Sequence, residues 1–103
     1  MNNEFEYKKL GDNIPDVSAV YFLMNNDELT YIGSTRHLKT RISNHKRIRN
    51  ANIFIGDKKL IDDEFNGVLY FQVNHEPLRL MLEERYINEF HPKENLQKVV
   101  NKR

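Results

Sequence analysis

VSAVYFLM-NND-ELTYIG, residues 17–33, decides the fold. Its opening stretch, residues 17–24, is rich in β-branched and aromatic side chains, the composition of a buried strand. Asn25, Asn26 and Asp27 supply turn chemistry. Residues 28–33 then read as the partner strand of an antiparallel hairpin.

Working outward, Ser34 or Thr35 caps a helix over residues 37–50, to which Leu38, Ile42 and Ile48 give a partial apolar face. Residues 52–56 form a connection, and a short helix over 58–65 closes at Asn66-Gly67. Residues 68–74 make a third strand. A last helix spans 76–90, opened by Pro77 in its first turn and closed before Pro92. Upstream, residues 1–16 carry Gly11, Asn13 and Pro15 without apolar periodicity and read as a loosely held arm. The expected architecture is α/β: a small three-stranded, mostly antiparallel sheet flanked by helices. Its expected boundaries are residues 17–97, with a tail at 98–103; no repeat or low-complexity tract divides the chain.

At 103 residues there is room for one hydrophobic core. Apolar residues at 39% and charged residues at 30% describe a globular chain, and the longest apolar runs fall far short of a bilayer span, so no membrane is expected. The first nine residues lack the apolar segment of a secretory leader, so an intracellular location is expected, cytoplasmic or nucleoid-associated. The absence of cysteine excludes disulfides, a thiolate nucleophile and Cys-ligated zinc. A net charge of +1 says little about partners, but its distribution says more. Arg36, Lys39, Arg41, Lys46, Arg47 and Arg49 occur together with His37 and His45, and no acid follows until Asp57. Such a helix holds phosphates by counterion release, or is simply a solvated face.

The last helix contains a misplaced acid. At 100° per residue, Leu80, Leu82, Tyr86, Ile87 and Phe90 share one arc, and Glu83 and Arg79 fall inside it. A carboxylate facing a core requires a cation or donors. Two readings meet that need: an internal Arg79–Glu83 pair at i, i+4, or a carboxylate aimed at a bound metal.

Ala19-Val20-Tyr21, followed by Tyr31-Ile32-Gly33 ten residues after the first tyrosine, resembles the two-strand signature of the GIY-YIG nuclease family. The rest of the family pattern follows in order. Arg41 and His45 match an arginine and a histidine one turn apart on the first helix; Glu83 before Tyr86-Ile87 matches the metal-binding glutamate; Pro92 and Asn95 match the proline and asparagine that follow. Ala19 replaces the first glycine, a mild change. The resemblance covers residues 17–95, about three quarters of the chain, and is similar to excision-repair incision subunits and homing endonucleases.

What the resemblance implies is a nuclease cutting DNA with one Mg²⁺ or Mn²⁺ ion per site, held by Glu83. Tyr21 is the implied general base, Tyr31 positions water or phosphate, and His45 takes the phenolic proton. Arg41 holds the scissile phosphate, and its charge together with the metal favours phenolate. Asn95 orients the glutamate or a metal-bound water. Arg36, Lys39, Lys46, Arg47 and Arg49 add nucleic-acid contacts. His37, His75 and His91 lack partners at metal-ligand spacing and stay outside the set. A competing reading is an inactive DNA- or RNA-binding module using the basic helix 36–49. Another is an adaptor for an acidic protein partner. A homodimer or partner protein would widen the footprint of so small a domain.

Overall fold

The computed structural model describes residues 5–50, 54, 55, 58, 59, 65–92 and 95, with side chains omitted for 47–50, 54, 55, 58 and 59. Strand β1 is Glu6–Lys9, β2 Ala19–Asn25, β3 Glu28–Thr35; helix α1 is Leu38–Asn50; β4 is Phe54–Ile55, β5 Lys58–Lys59 and β6 Gly67–Gln72; helix α2 is Glu76–Phe90. The main sheet is four-stranded and antiparallel, in the order β1-β6-β2-β3. β4 and β5 form a separate two-stranded ladder.

The hairpin of β2 and β3 closes as its residues predict, with Asn25 opposite Glu28 and Asn26 at φ 56°. Asparagine tolerates this left-handed conformation, and Asn66 supports it by accepting from the Asn26 N–H and donating to its side-chain oxygen. A bulge between Leu23 and Met24 is sealed by the Thr30 hydroxyl, which donates to the Leu23 carbonyl at 3.1 Å.

Strand alternation sorts the core into two layers. On one face Ala19, Tyr21, Leu23, Val68 and Tyr70 pack with Leu38 and Ile42 of α1. On the other, Val20, Phe22, Ile32, Phe71 and Val73 meet Leu78, Leu82, Tyr86 and Ile87 of α2. The two helices therefore lie on opposite faces, and β3 is the edge strand between them and solvent.

Three expectations require correction. The stretch read as a loosely held arm contributes β1, a fourth strand paired with β6 from Glu6↔Tyr70 to Lys9↔Gly67. The Tyr70 hydroxyl donates to Glu6, the Tyr7 phenol lies over Gly67, and Phe5 sets its ring edge-on to Phe71 at 4.7 Å. Pairing with a distant strand supplies an order that a polar tetrapeptide does not encode locally. The short helix expected over 58–65 is absent from its described residues: Lys58–Lys59 is β-paired and Phe65 is a buried non-helical residue, while 60–64 lie outside the described residues. An aromatic and β-branched pair ahead of Gly56-Asp57 is the hairpin signal that outweighed the helical one. The tail at 98–103 also lies outside the described residues.

The last correction is a roll of α2. Its buried stripe centres on Arg79 and Tyr86, so Leu78 turns inward while Leu80 and Phe90 are 50% and 52% exposed. Arg79 is only 3% exposed, and it anchors this roll by donating to the Val73 carbonyl and, at 3.0 Å, to Glu76. His75 and His91 cap the two ends of the helix, His75 Nδ1 accepting from the Leu78 N–H and His91 taking the left-handed cap conformation. Among the described residues no helix is long and apolar enough to cross a membrane.

Candidate active site

Tyr21 lies at the centre of the β2 strand and is 1% exposed. Its cross-strand partner on β3 is Gly33, and the phenol lies flat over that residue because no Cβ stands in the way. Beyond Gly33 the hydroxyl meets His45 Nε2 at 2.9 Å. Tyr31, two residues earlier on the same face, completes a triangle of rings, its centroid 6.1 Å from Tyr21 and 5.3 Å from His45. His45 is buried on α1, and i, i+4 spacing places the exposed Arg41 one turn before it.

Glu83 approaches from the opposite face. Ser34, adjacent to Gly33, points toward α2, and its hydroxyl donates to Glu83 Oε1 at 2.8 Å. Where β3 lacks a side chain, phenol and carboxylate come within electrostatic reach of each other around the sheet edge. Burial pushes the Tyr21 phenol above its ordinary value of 10; Tyr31 and Glu83 push the same way, and Arg41 opposes them. The expected net help from Arg41 toward a phenolate is thus outweighed by desolvation. Burial thus favours the protonated phenol.

That shift makes a measurable claim. A folded-state value above the unfolded one stabilises the fold fully below about pH 10 and loses that contribution as pH rises above it. Tyr70 is raised as well, by burial and by Glu6. Melting temperature should therefore fall above pH 10, and less steeply in Tyr21→Phe, whose remaining slope belongs to Tyr70; identical slopes in a pH series of thermal melts would contradict this.

The internal Arg79–Glu83 pair does not form. Arg79 turns toward the helix N-terminus, where Glu76 receives it together with both Arg36 Nε at 2.9 Å and Arg36 Nη2 at 2.6 Å. These cations hold the Glu76 carboxyl below its ordinary range, Arg36 foremost. Glu83 is left with Ser34 as its hydrogen-bonding partner among the described residues.

Asn95 clamps the strand. Its side-chain oxygen accepts from the Ile32 N–H at 2.7 Å and its amide donates to the Ile32 carbonyl at 2.8 Å. These bonds close the outer edge of β3 beside Gly33 and leave one amide hydrogen and one oxygen lone pair for a further contact. Asn95→Ala would orphan a buried N–H and C=O at about 1–3 kcal/mol. A fall in melting temperature of roughly 10 °C is expected; an unchanged melt would mean the clamp contributes nothing.

Among the described residues, the basic side chains at 36–46 do not form one face. Arg36 is engaged by Glu76. Lys39, Ser43 and Lys46 line a cleft of about 190 Å³ against Leu10 to Ile14, on a shoulder of α1 roughly 160° from Arg41 at helical spacing. The side chains of Arg47 and Arg49 lie outside the described residues. Of the two residues expected to cap α1, Thr35 accepts from the His37 N–H just ahead of the helix, whereas Ser34 reaches Glu83. Strand alternation, which places residues 32 and 34 on one face, is the signal that points Ser34 to α2.

The donor set suits a hard cation. Among the described residues no group of three or more His, Cys, Asp or Glu side chains converges, so a closed cage of the zinc type is not built. One carboxylate with a free oxygen matches an ion that keeps most of its waters, as Mg²⁺ does.

Comparison with known proteins identifies the family. The family model described as the GIY-YIG catalytic domain matches residues 17–96. UvrABC system protein C of Fervidobacterium nodosum is 31% identical over 87 residues, 84% of this chain and 15% of that protein. Its counterpart from Mesoplasma florum is 31% identical over 93 residues, 88% of this chain and again 15% of the relative. The chain therefore spans about 15% of the length of these curated relatives. Among solved structures, the GIY-YIG N-terminal endonuclease domain of UvrC from Thermotoga maritima, bound to its catalytic divalent cation, magnesium, superposes with a TM-score of 0.55 at 26% identity, over 77% of this chain and 83% of that one.

Proposed function

Because this chain belongs to the GIY-YIG family of catalytic domains, we propose that it is a Mg²⁺-dependent endonuclease hydrolysing DNA phosphodiester bonds. The observation that carries the reading is the convergence on Tyr21 of His45 by contact and of Arg41 and Glu83 by charge. An inert binding module has no use for a buried phenol coupled to an imidazole and a carboxylate.

In the proposed reaction a water gives its proton to the Tyr21 oxygen as the phenolic proton passes to His45 Nε2. This relay avoids a free phenolate, which burial disfavours. For it to run, the neutral imidazole carries its own proton on Nδ1. The water oxygen bonds to phosphorus as the P–O3′ bond breaks, and the departing O3′ takes a proton from solvent water, leaving a 3′ hydroxyl and a 5′ phosphate. Arg41, exposed beside the phenol, grips the phosphoryl oxygens with its planar fork. Tyr31 positions the incoming water. Glu83 would hold the ion, which when bound supplies charge relief at the leaving oxygen.

Lys39 and Lys46 give a second set of phosphate contacts on the other shoulder of α1, so the backbone they touch is not the scissile phosphate.

Matched single-stranded, duplex and branched oligonucleotides, incubated with the protein and Mg²⁺ and with EDTA, test the proposal. Cleavage that EDTA removes is expected. Salt-sensitive binding without cleavage on any substrate would instead identify the inert module. Arg41→Ala should lower turnover by roughly 10²–10³ fold. Its melting temperature should stay within a few degrees of the parent, since its side chain is exposed.

A further inference from the structure

We propose that Ser34 is the positioning residue for the metal-binding carboxylate. Its hydroxyl holds Glu83 Oε1 so that Oε2 is presented to a divalent cation. The inference rests on Glu83 being the metal ligand and goes beyond it by assigning what aims that ligand.

A glutamate reaching from a helix toward a sheet edge has several rotatable bonds and, left alone, samples many orientations. Here the cation best placed to restrain it, Arg79 one turn earlier, is turned away to Glu76 and Val73. The Ser34 hydroxyl is the hydrogen-bond donor that reaches Glu83 among the described residues, at 2.8 Å and half-buried. A donor to one carboxylate oxygen leaves the other for the ion and fixes the plane of the group.

The backbone at this position is itself fixed from both sides. Ser34 pairs with Val20 across β2, and Ile32 two residues earlier is clamped by Asn95. The hydroxyl therefore transmits to Glu83 the placement of the strand whose neighbouring Gly33 carries the Tyr21 phenol. Carboxylate and phenol are thereby referenced to one pair of adjacent residues.

Ser34→Thr and Ser34→Val form the test pair, since they share a shape and differ in the hydroxyl. Mn²⁺ dissociation constants are read on the protein without DNA, by the loss of the free-ion electron paramagnetic resonance signal, alongside melting temperatures. Ser34→Thr is expected to bind Mn²⁺ close to the parent and Ser34→Val about tenfold more weakly at a similar melting temperature. Equal affinity of the two variants, with Glu83→Ala having lost binding, would overturn the role of Ser34 and leave Glu83 as the ligand. Undiminished binding by Glu83→Ala would overturn the metal reading and this inference with it.

Discussion

Glu83→Ala should reduce DNA cleavage by on the order of 10³ fold or more while leaving the fold intact, because the ion it is proposed to hold contributes several kcal/mol at the transition state. Stability should hardly change. The carboxylate is half-buried, accepts one hydrogen bond from Ser34, and is not the partner of buried Arg79. Losing it leaves a small polar hydroxyl near the surface, a change of roughly 0.5 kcal/mol or less. The same substitution removes one of the charges that raise the Tyr21 phenol, so Tyr21 should titrate at lower pH in the variant. Parallel cleavage assays, thermal melts and phenolate absorbance titrations check the three statements. A melting temperature lowered by tens of degrees would mean that Glu83 is structural.

Gly33→Ala is the substitution expected to damage both fold and activity. A Cβ at residue 33 would overlap the Tyr21 phenol at its oxygen, Cζ and Cε1. Nothing about the backbone conformation forbids alanine there; the conflict is with the ring alone. Overpacking of this kind costs about 1–3 kcal/mol, or roughly 5–15 °C in melting temperature for a domain of this size. The phenol has little room to yield, being 1% exposed and bonded to His45. A displacement of about 1 Å at the reacting oxygen lowers the rate by roughly 10² fold even below the melting temperature. Gly67→Ala is the matched control, since its Cβ would collide with the Tyr7 phenol over the β1–β6 pair. The Tyr7 ring is 49% exposed and can swing aside, so this variant should lose less stability, and its folded fraction should keep its rate. Equal rate losses in the two variants would show that unfolding, not misplacement of Tyr21, explains Gly33→Ala.

Much of the fold was legible because it is encoded in short periods. The alternation of residues 17–33 and the Asn26-Asp27 turn specify the hairpin, and Pro77 and Pro92 bracket α2, whose span matches expectation. The family pattern likewise depends on residue types at fixed separations, so Tyr21, Tyr31, Arg41, His45 and Glu83 could be named without coordinates.

Partners were another matter. Arg79 and Glu83 at i, i+4 look like a pair, yet the helix rolls and Glu76 takes the arginine. Asn95 carries no sequence signal for its bonds to the edge of β3 at Ile32, 63 residues away. Ser34 looks like a cap and reaches Glu83, 49 residues away. β1 shows no pattern of its own, because what orders it is β6.

By itself, then, the chain's sequence determined the β2–β3 hairpin, the third strand and the two long helices, and which side chains are available for chemistry, since backbone propensity and hydrophobic period act over a few residues. Only the tertiary structure decided which polar group meets which, how α2 is rolled, and that burial pushes the Tyr21 phenol above its ordinary range. Those outcomes depend on desolvation and on contacts between segments distant in the chain, and neither quantity exists until the sheet and its two helical layers have closed around them.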